Sequence, residues 1–406
     1  MQDVSHATTT TDADAAAPAR GRRRTNPLLL LLGAVIVAAA IGWIMYFVQV
    51  RRPVQANRDM NSGLVQTVVG LRDARPLKLD PKFVDADGDL VADAPADAKL
   101  QVDPPTLVFS FVGTDNPEAY QERFKEFVQH LGARTGKPTE YMLFRSAEEE
   151  LKALSDGRLH VAGLNTGNVP VAVNQCGFVP ICNLASEQGV STYQMQLIVP
   201  ADSPIQSVSD LKGKEIALTE AGSNSGFKAP LVLLRDHGLL PGKDFSIRYS
   251  GGHDASIAAI ASKQYQAAAV ASDLLRRAEA ENPPRIQKGQ YRVLYTSENF
   301  PTAGFGYVCN LKPELAQKVK DAFFSFEWKG TGVEREFAAS NQTKFAPVSF
   351  KNDFALVRRI DDAIRSVSGM EAGGREIDPL TPATNEAAAA APSTAPAESE
   401  ASQQPR

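Results

Sequence analysis

The residues most suited to chemistry lie between an apolar stretch, Glu215-Ile-Ala-Leu-Thr219, and the segment Pro230-Leu-Val-Leu-Leu-Arg235. The first reads as a strand and the second as a helix, so Ser223, Asn224 and Ser225 fall where strand turns into helix. Two hydroxyls, a carboxamide and the free amides at the positive end of a helix dipole can hold an anion without any formal charge. Gly222 and Gly226 would let the backbone approach such a guest closely. The same letters also suit plain helix capping by serine, and the motif alone does not choose between the two. Two enzymatic readings fail on spacing. A nucleophile elbow needs glycine two residues before its serine, and Ser223 stands there before Ser225. A phosphate-binding loop of the G-x-x-x-x-G-K-[ST] kind is absent at both Gly213-Lys214 and Gly226-Phe227.

Other candidates are scattered. His253 and Asp254 sit in "SGGHDAS", a second strand-to-helix turn, where a histidine can donate to a ligand or be a neutral ring bonded to backbone. Tyr193 alternates with apolar positions and suits either a cleft wall or the core. Lys228 falls on the first turn of the helix after the serine loop and is expected to face solvent. In "DPKFVDADGDLVADAP", Asp85, Asp87, Asp89 and Asp93 occupy positions 1, 3, 5 and 9 of a calcium-loop pattern. Leu90 stands where that loop wants glycine and Ala96 where it wants a final ligand, so a solvated acidic linker fits the same letters. Cys176, Cys182 and Cys309 form no disulfide framework and no zinc spacing. The close spacing of Cys176 and Cys182 allows a bridge in an oxidising compartment, and free buried thiols suit it equally.

The elements that would position these residues alternate. Strand-like runs at 106–113, 140–144, 160–164, 193–199, 215–219, 245–249, 266–271 and 291–296 are separated by amphipathic stretches, with helices expected from Pro117 and from Ser146-Ala-Glu-Glu149, a capping box. Such alternation predicts an α/β fold with mostly parallel sheets. Residues 104–370 are many for one sheet and comfortable for two lobes. The expected division is 104–195 with 305–370 in lobe one and 196–304 in lobe two, joined by crossover strands near Tyr193–Val199 and Phe305–Asn310. The 406-residue chain carries a net charge of −4 with 22% charged residues, which argues against a nucleic-acid binder.

Both ends differ from this middle. Residues 1–27 are polar and end in Arg20, Arg22, Arg23 and Arg24; residues 28–50 carry no charge. As a helix that stretch would rise about 34 Å, enough to cross a hydrocarbon core. Trp43 and Tyr46 suit the interfacial belt. A single transmembrane anchor is expected, uncleaved because the apolar run continues past Ala38-Ala39-Ala40. The excess of arginine before it predicts a cytoplasmic N-terminus and an extracytoplasmic folded part. Residues 51–103 read as a linker and 371–406, rich in Ala, Pro, Glu and Ser, as a disordered tail.

Taken in order, "LIVPADSPIQSVSDLKGKEIAL" (197–218), "SNSGFKAP" (223–230) and "GGHD" (251–254) resemble the phosphate/phosphite/phosphonate-binding components of ABC importers, a family with the type II periplasmic binding protein fold. The resemblance implies two lobes closing on a tetrahedral oxyanion and no catalysis. It also implies roles for residues: Ser223, Asn224 and Ser225 holding oxygens, His253 donating a ring N–H, Tyr193 walling the cleft, and Ser146 and Thr166 completing the ring from lobe one. Departures stand beside it. Asn224 replaces the family's threonine, a cleft tyrosine is missing near Ser146–Ala147, and the acidic residue that some members direct at an ammonium group is missing near Ala303. Asp273 is a substitute for that acid or a helix cap. Phosphate, phosphite or a simple phosphonate is the ligand this pattern implies, an ABC permease or a membrane receptor the partner, and no cofactor is implied. A sensor of the same fold, and an enzyme using His253 and Asp254, are the rival readings.

Overall fold

The computed structural model describes residues 78–111 and 117–369. The expected anchor at 28–50 and the tail at 371–406 lie outside them; among the described residues no helix is long and apolar enough to cross a membrane.

Lobe one opens with β1 (Leu107–Phe111), five consecutive buried residues, the pattern of a strand covered on both faces. Helices α1 (Pro117–Arg123) and α2 (Lys125–Thr135) follow, then β2 (Thr139–Tyr141), α3 (Ala147–Ser155), β3 (Val161–Leu164) and α4 (Val169–Cys176). β1 pairs in parallel with β2 and β3. The long strand β4 (Phe178–Ser186) and the short β5 (Gly189–Val190) complete the first pass. Lobe two contains β6 (Thr192–Pro200), β7 (Glu215–Leu218), α5 (Ala229–Asp236), β8 (Ser246–Tyr249), α6 (His253–Ala261), β9 (Ala267–Ala271), α7 (Ser272–Ala280) and β10 (Tyr291–Pro301). The chain then returns to lobe one as β11 (Gly304–Val308), α8 (Pro313–Phe324), α9 (Gly332–Phe337), β12 (Lys344–Pro347) and α10 (Phe350–Asp353). The last helix, α11 (Ala355–Gly369), expected in lobe one, packs mainly on α5 and the serine loop of lobe two, where Lys228 and Arg235 hold it.

The two sheets have the orders β12-β4-β11-β3-β1-β2, with β5 on β4, and β10-β6-β9-β7-β8. Each is mixed rather than mostly parallel. Three parallel strands (β2-β1-β3 and β8-β7-β9) are extended by antiparallel strands, β11, β4 and β12 in one sheet and β6 and β10 in the other. The antiparallel members are the price of crossing between lobes twice. The second crossing lies between Pro301 and Gly304, and the Phe305–Asn310 segment expected to make it belongs to lobe one, hydrogen-bonded between β3 and β4. The first lies at Val190–Thr192, just before Tyr193.

The lobes are packed with different materials. Lobe one stacks Phe109, Phe124, Phe127, Phe305, Phe323 and Phe345 with ring centroids 4.7–6.1 Å apart, mainly edge-to-face or tilted as ring quadrupoles prefer. Lobe two packs small and branched groups on one face of its sheet, where Ile198, Ala217, Ile257, Ile260, Ala268 and Val270 form a cluster, and Leu218, Phe227, Leu231, Leu234 and Phe245 in the main core on the other.

The segment expected as a linker to residue 103 is, from residue 78 onward, a strap laid on lobe one. Val91 and Ala92 are buried. The amide of Asp80 donates to the Asn174 carbonyl, that of Val102 to the Asn310 carbonyl, and Lys351 Nζ reaches the Gly88 carbonyl. In it Asp85, Asp87 and Asp89 bring one carboxylate oxygen each within 4.8 Å of one another. Asp93 is not one of that trio; its carboxylate accepts from the amide of Ala86. Leu90 takes the left-handed conformation (φ 71°) that a calcium-type loop assigns to glycine. All three cysteines are free, with Cys182 buried in β4 and Cys176 ending α4.

Candidate anion-binding site

The serine loop leaves β7 and enters α5 through one wide π-helical turn, Asn224–Lys228, a distortion that often accompanies function. Ser223 is its cap: Oγ accepts from the Gly226 amide at 3.1 Å. Gly226 lies against Thr219, whose side chain a Cβ at 226 would strike. Gly222 packs in the same way against Asn168 of lobe one, and Gly167 of lobe one against Gly222 and Asn224. The glycines thus serve close packing of the loop on its own strand and on the opposite lobe.

Ser223, Asn224 and Ser225 are buried, and all three line a cavity of about 100 Å³ between the lobes. Drug-sized pockets run to several hundred Å³, so this one suits a guest of few heavy atoms. The Asn224 side chain, 2% exposed, meets the Tyr193 hydroxyl. A carboxamide has two donors and an acceptor, more than that hydroxyl answers, and a ligand presenting donors and acceptors would satisfy the rest.

His253 begins α6 and is buried at the cavity wall. Its Nδ1 accepts from the Ala271 amide at 3.2 Å, so in the neutral ring Nε2 carries the proton. Nε2 lies 3.4 Å from Ser223 Oγ. Burial holds its pKa down to about 4, which keeps the ring a neutral donor. Tyr193 on β6 places its hydroxyl near Thr166, Asn224 and Ser225, and burial pushes its pKa up to about 12. Thr166, at the end of β3, lines the cavity from lobe one and donates Oγ1 to the Pro301 carbonyl at 2.9 Å.

Ser146 is not among the cavity residues. It caps α3, accepting from the Glu149 amide at 3.2 Å, while Glu149 bonds the Arg145 amide in return. The cap uses only the acceptor side of the hydroxyl; what removes Ser146 from the site is its position away from the cavity. Asp273, by contrast, belongs to the cavity wall on the second residue of α7. It is not the cap, which is Ala271.

Several wall residues were not singled out from the sequence. Tyr120, Arg277, Thr302, Glu336 and Gln342 line the same cavity. Arg277 of lobe two meets Glu336 of lobe one at 3.3 Å, and Arg123 holds that carboxylate at 2.6 Å. The spacing of Asp273 and Arg277, four apart, places both on one helix face and was the available signal for Arg277. Lys228 overturns its expected exposure. It is 1% exposed, ion-paired with Asp361 of α11 and donating to the Gly167 carbonyl at 2.8 Å. The wide turn rotates it inward, and the pairing compensates the buried charge. Asp361 lies on a helix far along the chain, so no local pattern could announce it.

Residues 109–354 match the model of the family described as "ABC transporter, phosphonate, periplasmic substrate-binding protein". A phosphonates-binding periplasmic protein of Escherichia coli is 22% identical over 255 residues, 62% of this chain and 74% of the relative. A phosphate-import protein of Mycolicibacterium smegmatis is 23% identical over 242 residues, 57% of this chain and 75% of that one. In structure, a binding protein component of an ABC phosphonate transporter from Pseudomonas aeruginosa superposes with a TM-score of 0.57 at 19% identity, covering 66% of this chain and 89% of its own. A Prochlorococcus marinus protein solved in complex with methylphosphonate gives 0.53 at 16% identity, covering 64% and 98%. These likenesses show the two-sheet binding-protein fold, and the family match covers more than half of the chain. The chain belongs to the periplasmic substrate-binding proteins of phosphonate ABC transporters.

Proposed function

We propose that this protein captures a small phosphorus oxyanion (phosphate, phosphite or a simple phosphonate) between its lobes and delivers it to an ABC permease, without catalysing a reaction. The observation that carries this is the convergence of Ser223, Ser225, the buried Asn224 carboxamide and the neutral His253 on one small cavity. Neutral donors at a helix entrance suit an anion whose charge is spread over several oxygens. The names of the two relatives, one for phosphonates and one for phosphate, point to the same chemistry. Hinge closure would gain from contacts made only when both lobes touch the ligand. In this reading residues 28–50 tether the domain to the outer face of the membrane, and no cofactor takes part.

The test is thermal unfolding of the full chain with phosphate, phosphite, methylphosphonate, aminoethylphosphonate, sulfate and taurine. A ligand at 100 times its Kd stabilises by about 2.7 kcal/mol. The reading predicts a shift with at least one phosphorus oxyanion that is lost in the Ser223→Ala/Ser225→Ala/His253→Ala variant. An equal shift in that variant excludes the site. A sensor of the same fold is the second reading, favoured by the uninterrupted apolar run at 28–50. Import of the ligand that depends on this chain and a permease decides between the two.

A further inference from the structure

The strap at 78–103 leaves a gap behind it. Between its residues 82–102 and lobe one lies a groove of about 1000 Å³, against about 100 Å³ for the interlobe cavity. The groove is at the opposite end of lobe one from that cavity, since His160 at the groove precedes β3 and Thr166 at the cavity follows it. Phe83, Val84, Pro95 and Leu100 line it from the strap, and Leu154 of α3 and Val308 of β11 from the lobe. Val84 and Leu100 are 66% and 62% exposed, the two most exposed large apolar side chains among the described residues. Two such groups standing open at one apolar groove mark a surface that something covers. Oxyanion capture makes no use of it.

The cover must suit the charge of the strap and lie within reach. Residues 78–103 carry seven aspartates against three lysines, which disfavours an anionic lipid surface and favours a basic partner. The chain immediately before, residues 51–77, has five arginines against two aspartates. Within it Leu64, Val65, Val68, Val69 and Leu71 recur at the spacing that gathers apolar groups on one helix face. The strap also begins at the groove. The Asp80 amide donates to the Asn174 carbonyl at 2.9 Å and Lys82 Nζ to the Gln175 carbonyl at 3.1 Å, both just before Cys176 of the groove wall. Residues 72–77, all that separates Leu71 from Lys78, span at most about 20 Å. We propose that residues 64–71 of the same chain lie in this groove, apolar side inward, with Arg72 and Arg75 beside the carboxylates of the strap. Docking is then intramolecular, at an effective concentration on the order of millimolar, so that modest apolar contact holds the segment in place. The free chain between the expected anchor at 28–50 and the folded part shortens to residues 51–63, and it leaves the domain at the pole of lobe one away from the cleft. None of this depends on the ligand.

The experiment is oxidative cross-linking of the full-length chain in lipid nanodiscs, with the bonded peptides identified by mass spectrometry. Val68→Cys with Leu100→Cys is compared with Gln66→Cys with Leu100→Cys, whose first thiol falls on the other helix face. A bond within one chain between positions 68 and 100 is expected, forming about tenfold faster than the bond from position 66. Adding Val65→Asp and Val69→Asp should remove that advantage. Equal rates from positions 66 and 68 overturn the inference. A bond between two chains also overturns it and assigns the groove to a second copy. So does a thiol at position 100 that the bilayer shields from maleimide in the presence and absence of the two aspartate substitutions, which assigns the groove to lipid. If Leu100→Cys does not fold, alkylation of the native Cys176, half-buried at the groove wall, decides instead. Its rate should rise about tenfold with Val65→Asp/Val69→Asp, as expected when a docked segment is released, and an unchanged rate overturns the inference.

Discussion

Ser146 in lobe one and Ser223 in lobe two make the same local bond. Each caps a helix by accepting from the amide three residues on, at 3.2 and 3.1 Å. One hydroxyl sits beside a capping-box glutamate at the protein surface, and the other sits beside His253 in a cavity between the lobes. The wider contrast between lobes runs the same way. Lobe one is built around interlocked phenylalanines and, of its strand-to-helix turns, brings Thr166 to the cavity. Lobe two backs one face of its sheet with small aliphatic side chains, and the ends of β7 and β9, together with the start of α6, bring Ser223–Ser225, Asp273 and His253 to the cavity. A capping serine is therefore a statement about a helix. Whether it is also a statement about a ligand depends on what the opposite lobe leaves open.

The largest effect should come from the ion pair that ties the serine-loop turn to α11. Asp361→Ala leaves the ammonium of Lys228 buried without its partner and should destabilise lobe two by about 3–5 kcal/mol in chemical denaturation. Replacing both residues, Lys228→Met with Asp361→Leu, should recover most of that loss. If it does not, the pair does more than neutralise itself.

Next is acid sensitivity. His253 titrates near 4 in the folded chain against 6.5 ordinarily, because burial disfavours the charged ring. Between those values the unfolded chain binds the extra proton, so the contribution is complete above pH 6.5 and lost as pH falls towards 4. Its size is about 3 kcal/mol. His253→Asn should flatten that limb of the stability-versus-pH curve, and an unchanged limb would assign the acid loss elsewhere.

Smaller, and aimed directly at the two serines, is a comparison of Ser225→Ala and Ser146→Ala. Loss of one ligand-facing hydroxyl should weaken oxyanion binding by about 1–3 kcal/mol, roughly 5- to 150-fold, with little change in melting temperature. Ser146→Ala should lower stability by about 1 kcal/mol and leave the Kd unchanged. Equal effects on binding would erase the distinction between the lobes.

Much of this was legible in the letters. Alternation of apolar runs and amphipathic stretches located eight of the strands, because period and burial are local consequences of sequence. The clustering of small donors at a strand-to-helix turn marked the serine loop, and the ordered motifs around it marked the family. Other features escaped. β4 lacks alternation because it is covered on both faces between β11 and β12, and β12 is a four-residue edge strand too short to show one. The strap at 78–103 reads as solvated acid, and its anchoring is through backbone bonds to Asn174 and Asn310, which side-chain composition does not record.

By itself the sequence determined the alternating fold, the two-lobe size, the donor-rich loop and the uncharged run at 28–50, since each follows from residue type and near-neighbour spacing. Tertiary structure alone decided which serine faces the cavity, that Lys228 turns inward to Asp361, and that Asp273 is left with an unsatisfied oxygen. Those outcomes depend on groups more than a hundred positions apart or on opposite lobes, and an electrostatic partner has no signature in the letters beside the residue it serves.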